Sequence, residues 1–324
     1  ENPTQHFKTV TWTGSNDPVN LNFDKFTPDL LWIKNRSNSS NGGISHALID
    51  TVRGGDNRLA SDNANAQLTN AGLATFNSDN TVTIMGGLSP VNDGMDNRTY
   101  VAWGWKAGGA PADDQMMKDG EPFDIPTTGS ITPLKMSVNT KAGFSIIRWN
   151  GNATSGATYS HGLTKAPELI FTISIKAGVQ GIVYSSAVNS TGYLSLSDTF
   201  SSGRNSWFIN NTPPSDSVIT CGYQTGSSNE SSQEYITYAW HSVPGYSAFG
   251  SYTGNDGGNF IYTGFRPAFV IFKKANVADE SWIIADNARD PDNPTQKYLL
   301  ADTPAKEGCL LYTSDAADDG SRGV

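Results

Sequence analysis

One phrase of sequence occurs three times along this chain of 324 residues, and it constrains the fold more than any other feature. Each copy opens with an aromatic residue, a polar residue and a glycine, and continues after a similar interval to a proline and an apolar run. The copies open at Trp12, Trp149 and Tyr252. Self-similarity at a fixed period indicates that one structural unit is repeated along the chain.

The lengths of the copies predict two complete units and a partial third. The first copy closes on the aromatic phrase 100–105 and the second on 235–240, so they span 93 and 91 positions between tryptophans. The third copy reaches an apolar phrase at 298–300 and shows no closing phrase after it. We therefore predict a β-sandwich repeat over 1–109, a linker or excursion over 110–142, a second β-sandwich repeat over 143–245, a partial third repeat over 246–308 and a non-native tail over 309–324.

Strands dominate the expected secondary structure, because helical periodicity is almost absent and the apolar runs are short and bounded by turn residues. In the closing phrases large residues alternate with small ones, which predicts strands with their aromatic faces in a core. The runs 30–33 and 269–272 lack this alternation, so we predict that both are buried on two faces. The residues 255–258 predict a hairpin turn between two strands of the third copy.

The predicted fold class is mainly β. The pattern favours tandem antiparallel β-sandwich units of the jelly-roll or lectin-like kind, the last of them truncated. A barrel built from the same strands is the alternative.

Composition narrows the classes of partner. The formal net charge is -9, and an acidic surface argues against nucleic-acid binding, which needs clustered Lys and Arg. No apolar stretch approaches the roughly 18 residues of a membrane span, so we predict no membrane insertion. The sequence has no Gly-rich phosphate loop, and we expect no cofactor. Cys221 is expected to be a lone buried thiol.

The two ends of the sequence suggest an internal fragment of a longer gene product. The chain begins at Glu1 without an initiator Met or a signal segment. Residues 309–319 look like the translation of a sequencing adapter, and the alternative is a genuine acidic tail. Neither the first nor the second copy contains a matching stretch.

An Asp-x-x-Arg spacing follows an apolar strand in two of the copies and gives the main candidate site. Asp50 and Arg53 occur in the first copy, and Asp286 and Arg289 in the third. A carboxylate and a guanidinium form directional hydrogen bonds, so either pair could bind a sugar or a partner carboxylate. The alternative is a structural ion pair that closes a loop. The second copy has Ser185 at the aspartate position.

The remaining candidates are single residues. Trp207 lies in a polar segment and is the tryptophan that we predict to be an exposed ligand-binding platform, whereas the others lie on strands and are expected in the core. We predict no catalytic residues and no metal site; Asp290 and Asp292 are weak calcium candidates, with a stiff turn as the alternative. The four histidines have no partner at ligand spacing and are expected at the surface or in turns.

Several phrases resemble a tandem-repeat family of virion proteins, tail-fibre-like, from marine tailed phages. They are residues 28–37, 45–54, 100–109, 249–255 and 262–269. The resemblance implies lectin-like β-sandwich units and brings no catalytic residues with it.

The resemblance favours a non-enzymatic structural or adhesion protein of the virion, extracellular, in which tandem units project as a rigid rod. Its expected partners are a host-surface glycan or a neighbouring virion protein, and a homo-oligomer is compatible with the pattern. The alternatives are a secreted carbohydrate-active enzyme or carbohydrate-binding module, and a capsid decoration protein.

Overall fold

The structure is a computed structural model. It describes residues 2–37, 43–113, 115–176, 181–188, 192–199, 203–204, 207–223, 228–231, 233–255 and 258–309. In these ranges the regular elements are strands and two short 3-10 helices, Pro3–Gln5 and Met95–Asn97. Nearly all strand pairs are antiparallel, which confirms the predicted mainly β fold.

The first unit is a sandwich of two antiparallel sheets. Its larger sheet has the strand order β1-β9-β3-β4, the second has the order β2-β8-β7, and β5 pairs with β6. The strands are β1 (Phe7–Thr13), β2 (Val19–Asn22), β3 (Leu30–Asn35), β4 (Ala47–Asp50), β5 (Asn57–Arg58), β6 (Leu68–Thr69), β7 (Ala74–Phe76), β8 (Thr81–Ile84) and β9 (Thr99–Trp105).

The segment predicted as a linker or excursion carries three strands that join the sheet of the second unit. These are β10 (Met116–Lys118), β11 (Glu121–Phe123) and β12 (Lys135–Asn139). β12 pairs with β13, and β10 runs parallel to β12. Residues between the units therefore extend a sheet by backbone hydrogen bonds.

The second unit repeats the topology of the first. The nine-stranded sheet has the order β11-β10-β12-β13-β20-β15-β16-β17-β18, and β14 pairs with β19. The strands are β13 (Phe144–Asn150), β14 (Thr158–Ser160), β15 (Leu169–Ser174), β16 (Ile182–Ser185), β17 (Gly192–Ser195), β18 (Gly203–Arg204), β19 (Val218–Thr220) and β20 (Glu234–Trp240).

The third unit contains one sheet of four strands in the described residues, with the order β21-β22-β23-β24. The strands are β21 (Phe269–Phe272), β22 (Ile283–Asp286), β23 (Lys297–Leu300) and β24 (Gly308–Cys309).

Strand register shows the repeat in three dimensions. Leu30 of β3 lies opposite Asp50 of β4 on one side and opposite Trp105 of the closing strand β9 on the other. The corresponding positions of the second unit are Leu169, Ser185 and Trp240. In the third unit Phe269 lies opposite Asp286, and no closing strand flanks β21 among the described residues.

The buried apolar residues form three cores. One lies between the two sheets of the first unit and one lies inside the second unit. The third is a central core to which all three units contribute. In β9, Val101 and Trp103 face the central core while Tyr100 and Ala102 face the core of the first unit, so the face expected in the sandwich core packs instead on the core shared between units. The units therefore surround a shared core, and the expected rod is wrong.

Two predictions for the third unit are wrong. The run 269–272 was expected to be buried on both faces, yet Val270 is 40% and Phe272 38% exposed. The strands expected around residues 252 and 260–262 are not formed, and Phe260 is 94% exposed. In the first unit the equivalent opening strand β1 pairs with β9 alone. In the described residues the third unit has neither a second sheet to cover Val270 and Phe272 nor a closing strand to pair with the opening segment. The predicted turn at 255–258 lies partly outside the described residues.

Candidate functional site

The two predicted Asp-x-x-Arg loops form buried ion pairs of the same geometry. Arg53 Nε lies 2.6 Å from Asp50 Oδ2, and the Arg53 backbone N–H donates to Asp50 Oδ1 at 2.8 Å. The corresponding distances between Arg289 and Asp286 are 2.5 Å and 2.9 Å. No more than 1% of any of these four side chains is exposed. These contacts are those of the structural alternative, an ion pair that closes its own loop.

A residue from the closing strand of another unit binds each pair. Tyr238 of the second unit donates from Oη to Asp50 Oδ2 at 2.8 Å, and Arg53 Nη2 donates to Tyr238 Oη at 3.2 Å. Trp103 of the first unit donates from Nε1 to Asp286 Oδ2 at 2.9 Å. Trp103 and Tyr238 occupy equivalent positions on β9 and β20. Each loop is therefore held against the neighbouring unit.

Burial and charge act together on these groups. Burial disfavours the charged form of Arg53, but the Asp50 carboxylate outweighs it, and the pKa of Arg53 is raised. Burial also raises the pKa of Tyr238 well above its usual value, so its phenol stays protonated and donates. The guanidinium carbon of Arg289 lies 5.6 Å from the centre of the Trp103 ring, within range of a cation–π interaction.

The second unit replaces the ion pair by smaller and apolar residues. Ser185 lies opposite Leu169 in the register that places Asp50 opposite Leu30. Val188, at the arginine position, packs against the central core. Strand pairing therefore does not require the ion pair, which distinguishes the first and third units from the second.

A second set of contacts connects the units in the opposite direction around the central core. His46, directly before β4, places Nε2 2.9 Å from the carbonyl oxygen of Leu300 in the third unit. Trp282, directly before β22, donates from Nε1 to the carbonyl oxygen of Ser195 in the second unit at 2.7 Å. The same position thus connects the first unit to the third and the third to the second. The three units are thus arranged around the central core, each in contact with the other two.

The expectation that the histidines lie at the surface or in turns is wrong. All four are buried, with at most 6% of any one exposed. Trp32 Nε1 donates to His46 Nδ1 at 2.7 Å, which leaves Nε2 of His46 to donate to Leu300. Burial lowers the pKa of His46 well below its usual value, and that of His161 to about 4. The rings of His46 and His161 stay neutral, and each binds a backbone carbonyl group, a role that residue spacing does not reveal.

A buried lysine lies at the junction of the first and third units. Lys34 is 0% exposed, and its Nζ donates to the carbonyl oxygens of Ile44 at 2.8 Å and Pro304 at 3.0 Å. Burial lowers the pKa of Lys34 to about 8. Beside it Arg36 binds both carboxylate oxygens of Glu307, at 3.0 and 2.9 Å. Sequence analysis did not single out these residues, because their partners are far away in the chain.

Of the single-residue candidates, Asp290 belongs to the Asp286 loop, because its backbone N–H donates to the carbonyl oxygen of Asp286 at 3.4 Å. Trp207 is 45% exposed, and its carbonyl oxygen accepts from Ser228 Oγ. Asp290 Oδ2 accepts from two backbone N–H groups of its own loop, at 2.6 and 3.0 Å, and these lower its pKa. Asp292 is exposed. In the ranges that the structure describes, no group of three or more His, Cys, Asp or Glu side chains could hold a metal ion.

Cys221 is a buried free thiol, as the sequence predicts, and burial raises its pKa.

A cavity of about 490 Å³ lies where the three units meet. Equivalent residues of the three units line it, namely Leu30, Leu169 and Phe269 at the first position of their strands and Trp32, Phe171 and Ile271 two residues later. Trp105 and Trp240 line it from the two closing strands. Sequence analysis missed this cavity, although three apolar runs against two closing phrases are a visible signal of it.

Comparison with known proteins gives a family and no function. No curated protein and no solved structure matches the chain. Among the described residues, no helix combines the length and apolar character needed to cross a membrane. The model of a family described as a domain of unknown function (DUF7483) matches residues 2–321. Since this match covers nearly the whole chain, the protein belongs to that family.

Proposed function

We propose that this protein is a non-enzymatic structural and adhesion protein of a phage virion, tail-fibre-like, that displays its loops on a rigid body of three interlocked units. The observation that supports this proposal is the buried contact of Tyr238 with Asp50 and Arg53 across a unit boundary. Breaking a buried ion pair typically costs about 3–5 kcal/mol, so such contacts keep the units in one arrangement. A fixed arrangement of loops suits a protein that must hold its binding surface in place outside the cell.

The proposed partner is a host-surface glycan or a neighbouring virion protein. Trp207 supports the glycan, because its ring is 45% exposed on the second unit and a flat aromatic face offers a stacking surface to a sugar ring. The Asp50 and Arg53 side chains, by contrast, are bound to each other and to Tyr238. We therefore assign any glycan contact to Trp207 and not to the ion pairs.

Immunogold labelling of purified phage particles that carry the protein tests its location. We expect label on the tail. Label spread over the head would identify a capsid decoration protein, and particles without label would overturn the virion proposal.

A glycan array tests the binding surface. We expect Trp207→Ala to weaken binding to the bound glycans about tenfold or more, which corresponds to about 1.4 kcal/mol. Tyr262→Ala is the matched control, because Tyr262 is an exposed aromatic residue of the third unit, 84% exposed. Unchanged binding by the Trp207 variant would remove Trp207 from the site. Release of reducing sugar that disappears on replacing one carboxylate would show an enzyme instead.

A further inference from the structure

β21, the first strand of the third unit, is hydrogen-bonded to another strand along one edge only in the described residues. β3 lies between β9 and β4, and β15 lies between β20 and β16. β21 pairs with β22 on the equivalent side and is the end of its sheet in the described residues. A strand edge of this kind presents a row of backbone N–H and C=O groups to an incoming strand.

The apolar cavity lies beside that same edge. Phe269 and Ile271 of β21 line it, opposite the closing-strand tryptophans Trp105 and Trp240. The two closing strands fill their parts of the central core with large side chains, and the cavity lies beside the unit that has no closing strand among the described residues. The cavity and the open edge are therefore two parts of one site.

The opening segment of the third unit gives a second, independent observation. In the complete units the opening strand pairs with the closing strand, and an aromatic pair joins them: Trp12 stacks on Tyr100 at 5.3 Å and Trp149 on Tyr235 at 4.6 Å. Tyr252 is the equivalent residue, and it is 53% exposed on a segment without strand structure. A strand that entered beside β21 would also offer Tyr252 its partner.

We propose that the open edge of β21 and the adjoining cavity bind one extended peptide segment, antiparallel to β21, from a partner polypeptide that carries the pattern common to β9 and β20. That pattern is a polar residue, Tyr, a β-branched residue, a small residue, an aromatic residue, a small residue and Trp. Main-chain hydrogen bonds supply the affinity in such strand addition, and side-chain pockets supply the specificity. The proposal does not depend on a location in a virion.

The registers of the complete units fix how the segment binds. Its final Trp lies opposite Phe269, as Trp105 lies opposite Leu30, and its central aromatic residue lies opposite Ile271. In the complete units the central residue, Trp103 or Tyr238, donates to the aspartate of another unit. The central residue of the bound segment would face Ser185 of the second unit instead. The segment therefore needs an aromatic ring at this position but no hydrogen-bond donor.

Hydrogen exchange on the full chain with a synthetic peptide tests the proposal. The peptide has the sequence Glu234–Trp240 with solubilising lysines at both ends. We expect one peptide per chain, and amide exchange slowed about tenfold or more in 269–272 and in 247–253, because both segments gain backbone partners. A peptide with the central aromatic residue replaced by Asp should not slow amide exchange in these segments. This control changes the peptide and leaves the protein as it is.

Variants of the protein locate the site. Ile271→Asp places a charge in the cavity and should abolish protection, whereas Val270→Asp, at the alternate position of the same strand, should retain it. Equal protection by a scrambled peptide, or none from the designed one, would overturn the proposal. So would a concentration-dependent dimer in which 269–272 is protected without peptide, since the occupant would then be a second copy. Displacement of a small apolar probe from the cavity without added strand protection would mean a small-molecule site.

Discussion

The first and third units share one strand phrase and one loop, but only the first unit buries them from both sides. Leu31 and Ile33 of β3 are 0% exposed, whereas Val270 and Phe272, at the equivalent positions of β21, are 40% and 38% exposed. Both strands pair with the following strand in the same register. In the first unit the sheet of β2, β8 and β7 covers these residues, whereas the third unit has one sheet in the described residues; the closing strand likewise flanks β3 and not β21.

The loops after these strands are the same in both units despite that difference. The arginine Nε to carboxylate distances are 2.6 Å for Arg53 and 2.5 Å for Arg289, and a closing-strand residue of another unit completes each pair. Local sequence therefore determines the strand pair and its loop, while burial of the strand depends on a partner that is remote in sequence.

The largest expected effect tests whether the ion pair of the first unit is needed. Arg53→Met leaves Asp50 buried without its cation and should lower the free energy of unfolding by about 3–5 kcal/mol. The double variant Asp50→Ser with Arg53→Val copies Ser185 and Val188 of the second unit and should recover at least half of that loss. Urea denaturation followed by tryptophan fluorescence measures both. A double variant as unstable as the single one would show that the first unit, unlike the second, depends on the charges.

The pH dependence of stability compares two equivalent lysines, Lys34 of the first unit and Lys273 of the third. Lys34 has its pKa lowered to about 8 from 10.5 by burial, so the unfolded chain binds more protons between these pH values. Stability should therefore rise with pH across this window, by up to roughly 3 kcal/mol relative to Lys34→Met. Below pH 8 both states are charged and the difference is constant.

The control for this pH effect is Lys273, at the same strand position in the third unit. Burial lowers its pKa as well, but its side chain is partly exposed, so Lys273→Met should change the pH dependence less. Denaturation of the three proteins from pH 7 to pH 10.5 compares them. If the free energy of unfolding depended on pH equally in wild type and Lys34→Met, the lowered pKa of Lys34 would be contradicted.

Sequence patterns predicted the parts of the fold that depend on neighbouring residues. Most strands of the first two units and the equivalence of Asp50 and Asp286 follow from alternation and repeat spacing. The residues that bind those carboxylates do not, because Tyr238 lies 188 positions from Asp50 and Trp103 lies 183 positions from Asp286. The arrangement of the units around one core, and with it the burial of His46, is likewise set by contacts between units.

A smaller effect tests the contact between units. Tyr238→Phe keeps the ring in the central core but removes the hydroxyl that donates to Asp50 and accepts from Arg53. The Asp50 and Arg53 groups still bind each other, so we expect a loss of about 1–2 kcal/mol in the free energy of unfolding. An effect of the Tyr238 variant as large as that of Arg53→Met would mean that the hydroxyl, not the ion pair, holds the loop.

The smallest expected effect is at Gly254, two residues after Tyr252, the opening aromatic residue of the third unit. A Cβ on Gly14 would lie 2.1 Å from the carbonyl oxygen of Asp93, and one on Gly151 would lie 2.3 Å from that of Glu230. Both carbonyls belong to the chain that leads into a closing strand, and we expect Gly14→Ala and Gly151→Ala to cost about 1–3 kcal/mol. Gly254 has open space around it, so Gly254→Ala should change the free energy of unfolding by less than about 0.5 kcal/mol. A large loss there, measured by the same denaturation, would mean that the third unit already has a covering segment, which would remove the difference between the units.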